Sequence, residues 1–234
     1  MAKINEWMSV SDLMTGLMII FLFIAVAYMS RVRKDISEYA DTKKELYEKI
    51  SNSFKKEQET DNKLHVSKDL SMRFLKASTL FPFGGSELTD SFKITLNEIM
   101  PKYLDILADL DSTQSTMVKE IRVEGHTDDT GYPSKHSDPY RANLILSQER
   151  ARNVMFHIMD IIESSGFDEE KKDWFKHLFT ANGYSFSRAL DSDYQYVYDT
   201  HNPIDAPKSR RVEIRIIIDD RSVIEKLLNK EKND

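Results

Sequence analysis

KEIRVEGHTDDTG, residues 119–131, decides the architecture of this chain. Ile121 and Val123 alternate with charged neighbours, the two-residue period of a strand, and the run then breaks into a loop crowded with Gly, Thr and Asp. Upstream, residues 88–110 place Phe92, Leu96, Ile99, Tyr103, Leu104 and Leu107 at helical spacing, with Pro101 expected to kink or break the helix. Before it, FLKASTLFPF (74–83) reads as a strand running into a Gly84-Gly85 turn. Downstream, residues 144–166 read as a helix: Ser147 as N-cap, an apolar stripe of Ala151, Val154, Ile158 and Ile161, and Gly166 as the stop. Residues 179–184 form a possible strand, and Val212, Ile214, Ile216 and Ile218 alternate as a strong one before a short polar closing helix. The order β-α-β-α-β-β predicts an α+β domain with helices on one side of a small mixed sheet.

The other end of the chain is of a different kind. From Leu13 to Met29 no residue carries a charge, and the run opens directly behind an acid, Asp12. Started near Trp7, it supplies the roughly 20 residues that a bilayer crossing takes, so residues 7–30 are expected to span a membrane once. A cleaved signal peptide is the rival reading, with a weak small-x-small site at Ala25 and Ala27; an acid before the apolar run argues for a retained anchor. Arg31, Arg33 and Lys34 behind the span would, by charge alone, keep the following domain in the cytoplasm.

Residues 31–65 lack Pro and Gly and are rich in Lys and Glu, as an exposed helical linker is. Ile36, Tyr39, Leu46 and Ile50 fall near the spacing of a coiled-coil seam interrupted by Lys43, so the segment is either a dimer seam or a solvated connector. Net charge is −6, and the acidic excess falls on residues 66–234, which disfavours nucleic-acid binding. The chain has no cysteine, which excludes disulfides and thiol chemistry.

VEGHTDDTG at 123–131, N-x-x-LSQERARNV at 143–154, NGY at 182–184 and SRRVEIRI at 209–216 together resemble the OmpA-like peptidoglycan-binding domain. The front end, SVSDLMTGLMIIFLFIAV, resembles the membrane helix of the stator protein MotB. A long insert, GYPSKHSDPYR (131–141), and the Pro-free linker make the chain look more like the MotB-like subunits of Zorya anti-phage systems than like flagellar stators. The resemblance implies residues 1–6 in the cytoplasm, a single inner-membrane span, and a periplasmic domain over 66–234 that overrides the charge rule. It also implies a homodimer, with two copies inside a ring of a larger MotA-like membrane subunit, driven by H⁺ or Na⁺. A flagellar stator, or a passive wall anchor on a tether, are the alternatives.

Two groups of residues carry this chemistry. An ionised carboxylate is disfavoured in a low-dielectric span, which suits Asp12 to exchanging an ion, with Thr15 three residues on as a hydroxyl ligand or relay. The bland alternative makes Ser11-Asp12 a helix cap at the interface. For peptidoglycan, the resemblance assigns Asp128 to the ammonium of diaminopimelate in the stem peptide and Arg150 to its carboxylate, a bidentate task that suits a guanidinium. Asn143 and Leu146 line the same motif, and Thr127 and Arg211 are weaker candidates. His126, Asp128, Asp129, His136 and Asp138 match no metal-binding spacing, so neither metal nor cofactor is expected. With no P-loop, nucleophile elbow or HExxH motif, a non-enzymatic protein is expected.

Overall fold

A computed structural model describes residues 2–59, 64–74, 77–130 and 138–218. The closing helix expected after residue 218, and His136 within the insert, lie outside them. The described residues fall into two compact units, one up to Lys43 and one from Lys44 onward. Helix α1 (Ala2–Ser53) supplies the first and continues into the second. In the first unit, Ser11–Lys34 is long and apolar enough to cross a membrane, and none of it is buried.

The second unit opens with the end of α1 and proceeds α2 (Lys55–Glu59), β1 (Leu64–Val66), β2 (Ser71–Phe74), α3 (Ala77–Leu80), α4 (Asp90–Ala108), α5 (Ser112–Met117) and β3 (Val118–His126). It continues α6 (Pro139–Ser164), α7 (Glu169–Leu178), β4 (Phe179–Gly183), α8 (Val197–Thr200), α9 (Ala206–Ser209) and β5 (Arg211–Ile218). The strands form one mixed sheet, ordered β1-β2-β5-β3-β4, in which only β3 and β4 run parallel. One face is apolar: Met72, Phe74, Ile121, Val123, Val212, Ile214 and Ile216 share a core with Phe92, Leu96, Tyr103 and Leu104 of α4 and with Val154, Ile158 and Ile162 of α6. Phe92 meets Phe74 and Phe81 edge-to-face, at centroid distances of 5.5 and 5.8 Å.

Several expectations change. Leu46 and Ile50, candidates for an intermolecular seam, are each 2 % exposed within this core, and Phe54 is fully buried there, so the later part of the expected linker is domain. The strand expected at 74–83 ends at Phe74 and is preceded by a β1–β2 hairpin; Leu80 and Phe81 are buried from a helical turn and loop instead. Pro101 neither ends nor interrupts α4. Ser147 is not an N-cap, because α6 begins at Pro139 with Asp138 capping it through Tyr140 N. Helix α7, capped by Asp168 and opened by Glu169 and Glu170, was not foreseen.

Candidate functional site

The first candidate group lies on α1. Because the helix starts at Ala2, Asp12 stands nearly three turns inside it, which removes the capping role as a reason for the acid. Asp12 and Thr15 are exposed on neighbouring positions, and Thr15 Oγ1 donates to Ser11 O at 2.9 Å, leaving its lone pairs free to face a cation. Gly16, one residue on, has no atom within 4 Å of the space a Cβ would fill.

The second group forms where β3 ends against α6. Two glycines set its geometry. A Cβ on Gly125 would lie 2.1 Å from Ser147 O, and one on Gly183 would lie 2.4 Å from Gln148 N, so only bare backbone lets α6 rest this closely on β3 and β4. Ser147, which a helix interior rarely favours, is buried at this contact: its Oγ donates to Leu144 O and accepts from Ser185 N. Ser185 O in turn accepts from Thr127 N, and Ser185 Oγ donates to Tyr140 O. The loop after β4 thus ties the end of β3 to the first turn of α6.

On this frame α6 brings Asn143, Leu146 and Arg150 to one face at spacings of three and four, Thr127 and Asp128 follow directly on the end of β3, and Asn143 reaches their loop at Thr130. All five are buried or nearly so. Asn143 Nδ2 donates to Pro139 O and Thr130 O, at 3.1 and 3.4 Å. Arg150 Nε donates to Gly85 O at 2.9 Å, and its guanidinium lies 4.9 Å from the centroid of the Phe81 ring. Asn153 fixes the same loop through Ser86 O. Asp128 accepts from Thr130 N and pairs with Arg210. Thr127 Oγ1 is buried and has no hydrogen-bond partner among the described residues. A carboxylate, a spare hydroxyl, an amide and a guanidinium are the donors and acceptors that a zwitterionic amine–carboxylate group requires.

Arg211 belongs elsewhere. It is 2 % exposed and faces the other side of the sheet, where Nε donates to Glu213 Oε1 at 2.6 Å and its terminal nitrogens donate to Ser209 O and Arg188 O. The parity of β5 decides this: Arg211 shares a face with Glu213 and Arg215, and the neighbouring Arg210 is the one that reaches Asp128. Arg211 alone was a candidate from the sequence, and the Val212–Ile214–Ile216 alternation held the signal that puts it on the opposite face from the core.

The polar face is an ion network. Glu213 accepts from Arg211 and from Arg215 Nη2, both at 2.6 Å, and lies 3.1 Å from Arg73 Nε. Glu124 lies 3.4 Å from Arg215 Nε and 3.5 Å from His126 Nε2, and Arg215 also binds Asp69. Burial, reinforced by Arg211, pulls the His126 imidazole down to about 4, so it is neutral at pH 7. Burial opposes ionisation of Glu213, but Arg211, His126, Arg73 and Arg215 together hold its carboxyl well below the usual range. Glu124, His126 and Glu213 bring three potential ligand atoms within 4.8 Å of one another. Both Glu213 oxygens are already bound by guanidinium groups, and three arginines repel a further cation, so the cluster reads as structural.

No family model matches the chain. The Zorya protein ZorB of Escherichia coli strain Crooks is 31 % identical to it, over 96 % of this chain and 92 % of its own length. A second ZorB, of Escherichia coli O139:H28, is 28 % identical over 90 % of this chain and 79 % of its own. A solved MotB-like protein of Desulfovibrio vulgaris has the same fold, with a TM-score of 0.50 at 17 % identity over 78 % of this chain and 95 % of that one. With this identity extending over nearly the whole of both chains, the chain belongs to the ZorB family of Zorya proteins.

Proposed function

We propose that this chain is the wall-anchored inner subunit of an ion-driven membrane motor serving anti-phage defence. One observation carries the reading: a single chain joins an acid at the mouth of an apolar helical stretch, well past the start of its helix, to a domain that buries Thr127 and Asp128 behind β3 and Asn143, Leu146 and Arg150 on one face of α6. The domain grips the diaminopimelate of the peptidoglycan stem peptide, Asp128 taking the ammonium and Arg150 the carboxylate. Thr127 and Asn143 add hydrogen bonds, and Leu146 packs beneath them. The span crosses the inner membrane once, with the N-terminus in the cytoplasm and the domain in the periplasm. Two copies sit within a ring of a larger MotA-like (ZorA-type) subunit. H⁺ or Na⁺ passing Asp12 and Thr15 drives the ring, each charge drawing about 2.3 kcal/mol per 100 mV. Wall attachment keeps this chain still so that the ring turns. The role is mechanical and needs no catalytic group.

Asp12→Asn tests the motor. It should assemble normally with its membrane partner yet abolish protection against phage, and full protection would leave a passive anchor as the answer. Wall binding is tested separately by sedimenting the detergent-solubilised chain with purified sacculi. Wild-type protein should pellet and Arg150→Ala should stay in solution; equal pelleting of both would remove the assigned site.

A further inference from the structure

The carboxylate assigned to the ligand's ammonium is already engaged. The Asp128 side chain is 5 % exposed, and its Oδ2 lies 2.5 Å from Nη1 of Arg210. Strand register places this contact: His126 stands opposite Arg211, which brings Arg210 beside the step from Thr127 to Asp128, just beyond the ladder. Arg210 ends α9 in extended backbone, and its side chain is 41 % exposed. One partner of the ion pair is therefore buried and fixed, and the other has room to swing into water.

The neighbouring arginines are held differently. Arg150 is set by Gly85 O and the Phe81 ring, and Arg211 by buried Glu213. An ammonium approaching Asp128 meets a like charge already in its seat. Resting on the diaminopimelate reading above, we propose that Arg210 is an internal competitor that closes the empty site and that the stem-peptide ammonium binds by displacing it. A lone amine gains only an exchange of one cation for another at Asp128. A zwitterionic centre also gains Arg150, so the competitor selects ligands that carry both charges. Because the apparent affinity of a partly closed site is reduced by the open fraction, removing the competitor must tighten binding. An ion pair with one partner in solvent is of a strength that costs a ligand about two- to fivefold.

The test uses the full chain in detergent micelles and a fluorescent tripeptide, L-Ala-γ-D-Glu-meso-diaminopimelate, read by anisotropy and stopped flow. Arg210→Gln should bind about two- to fivefold more tightly than wild type. Both observed association rates should rise linearly with peptide, because a half-exposed side chain opens far faster than mixing, and the gain in affinity should lie in a steeper slope for Arg210→Gln. Wild-type binding that Arg150→Ala abolishes, with equal or weaker binding by Arg210→Gln, overturns the competitor and leaves the diaminopimelate site standing. Binding by neither wild type nor Arg210→Gln overturns both. Should Arg210→Gln fail to melt like wild type, Arg210→Lys, which keeps the charge but loses the fork, is read in the same way. It should bind with affinity between the two, and equal or weaker binding than wild type overturns the proposal.

Discussion

Gly125→Ala should dismantle the candidate site without touching any residue in it. The added Cβ would lie 2.1 Å from Ser147 O and 3.0 Å from Ser147 C, against ordinary contact from about 3.4 Å. The obstacle is helix backbone, which cannot rotate away, so α6 must lift by about 1.3 Å at that point. Overpacking of this kind costs about 1–3 kcal/mol, and losing the bond from Ser185 N to Ser147 Oγ adds about 1 kcal/mol. A total near 3 kcal/mol corresponds to a fall in Tm of roughly 10 °C for a domain of this size. The same lift carries Asn143, Leu146 and Arg150 away from Asp128, and a shift beyond about 0.5 Å is enough to loosen a site of this kind. Thermal unfolding followed by circular dichroism and sacculus sedimentation should therefore fail together. Gly166→Ala is the control, since its Cβ would meet nothing within 4 Å, and it should behave as wild type. A Gly125→Ala protein that melts within 2 °C of wild type and still pellets with sacculi would refute the close-approach argument.

Stability should also depend on pH. The His126 imidazole is held near 4 when folded against an ordinary 6.5, so the unfolded chain takes up a proton first as pH falls, and Glu213, also depressed, pushes the same way. Stability is complete above about pH 6.5 and is lost toward pH 4, by on the order of 3 kcal/mol for the histidine alone; a denaturant midpoint that does not fall between pH 7 and pH 4.5 would contradict the buried assignment. Phe54→Ala tests the ownership of the linker. With Phe54 wholly buried, the substitution should cost about 3–5 kcal/mol, whereas a solvated connector would make it silent in the same melt.

How far the sequence disclosed this molecule depended on what each signal measured. Apolar alternation located β3 and β5, because both strands bury one face against α4 and α6. It misplaced β2: Ser71–Phe74 carries Arg73 in a buried position, and an arginine that finds Glu213 across the sheet breaks any hydrophobic pattern. The start of α6 was present in the text as Asp138-Pro139 but sat inside an apparent insert, and Ser147 drew attention as a cap because a serine buried at a helix–sheet contact has no local signature. The motif residues Asp128, Asn143, Leu146 and Arg150 were legible; all four are buried, Asp128 just past β3 and the other three on one face of α6. Arg210 was not separable from Arg211 until strand parity was known, and the Phe81–Gly85 loop, distant in sequence, gave no sign that it holds Arg150.

Gln148 carries a further implication. Strand β4 is an edge of the sheet, and such an edge normally offers bare amides and carbonyls to any extended chain. Here the Gln148 side chain donates to Ala181 O at 3.1 Å and accepts from Gly183 N at 2.7 Å, answering that edge as a neighbouring strand would. Two copies of this domain therefore cannot pair sheet to sheet along β4 without first displacing a glutamine. A side chain of α6 thus closes one of the two sheet edges to backbone pairing, which removes one route by which neighbouring copies could seed fibres.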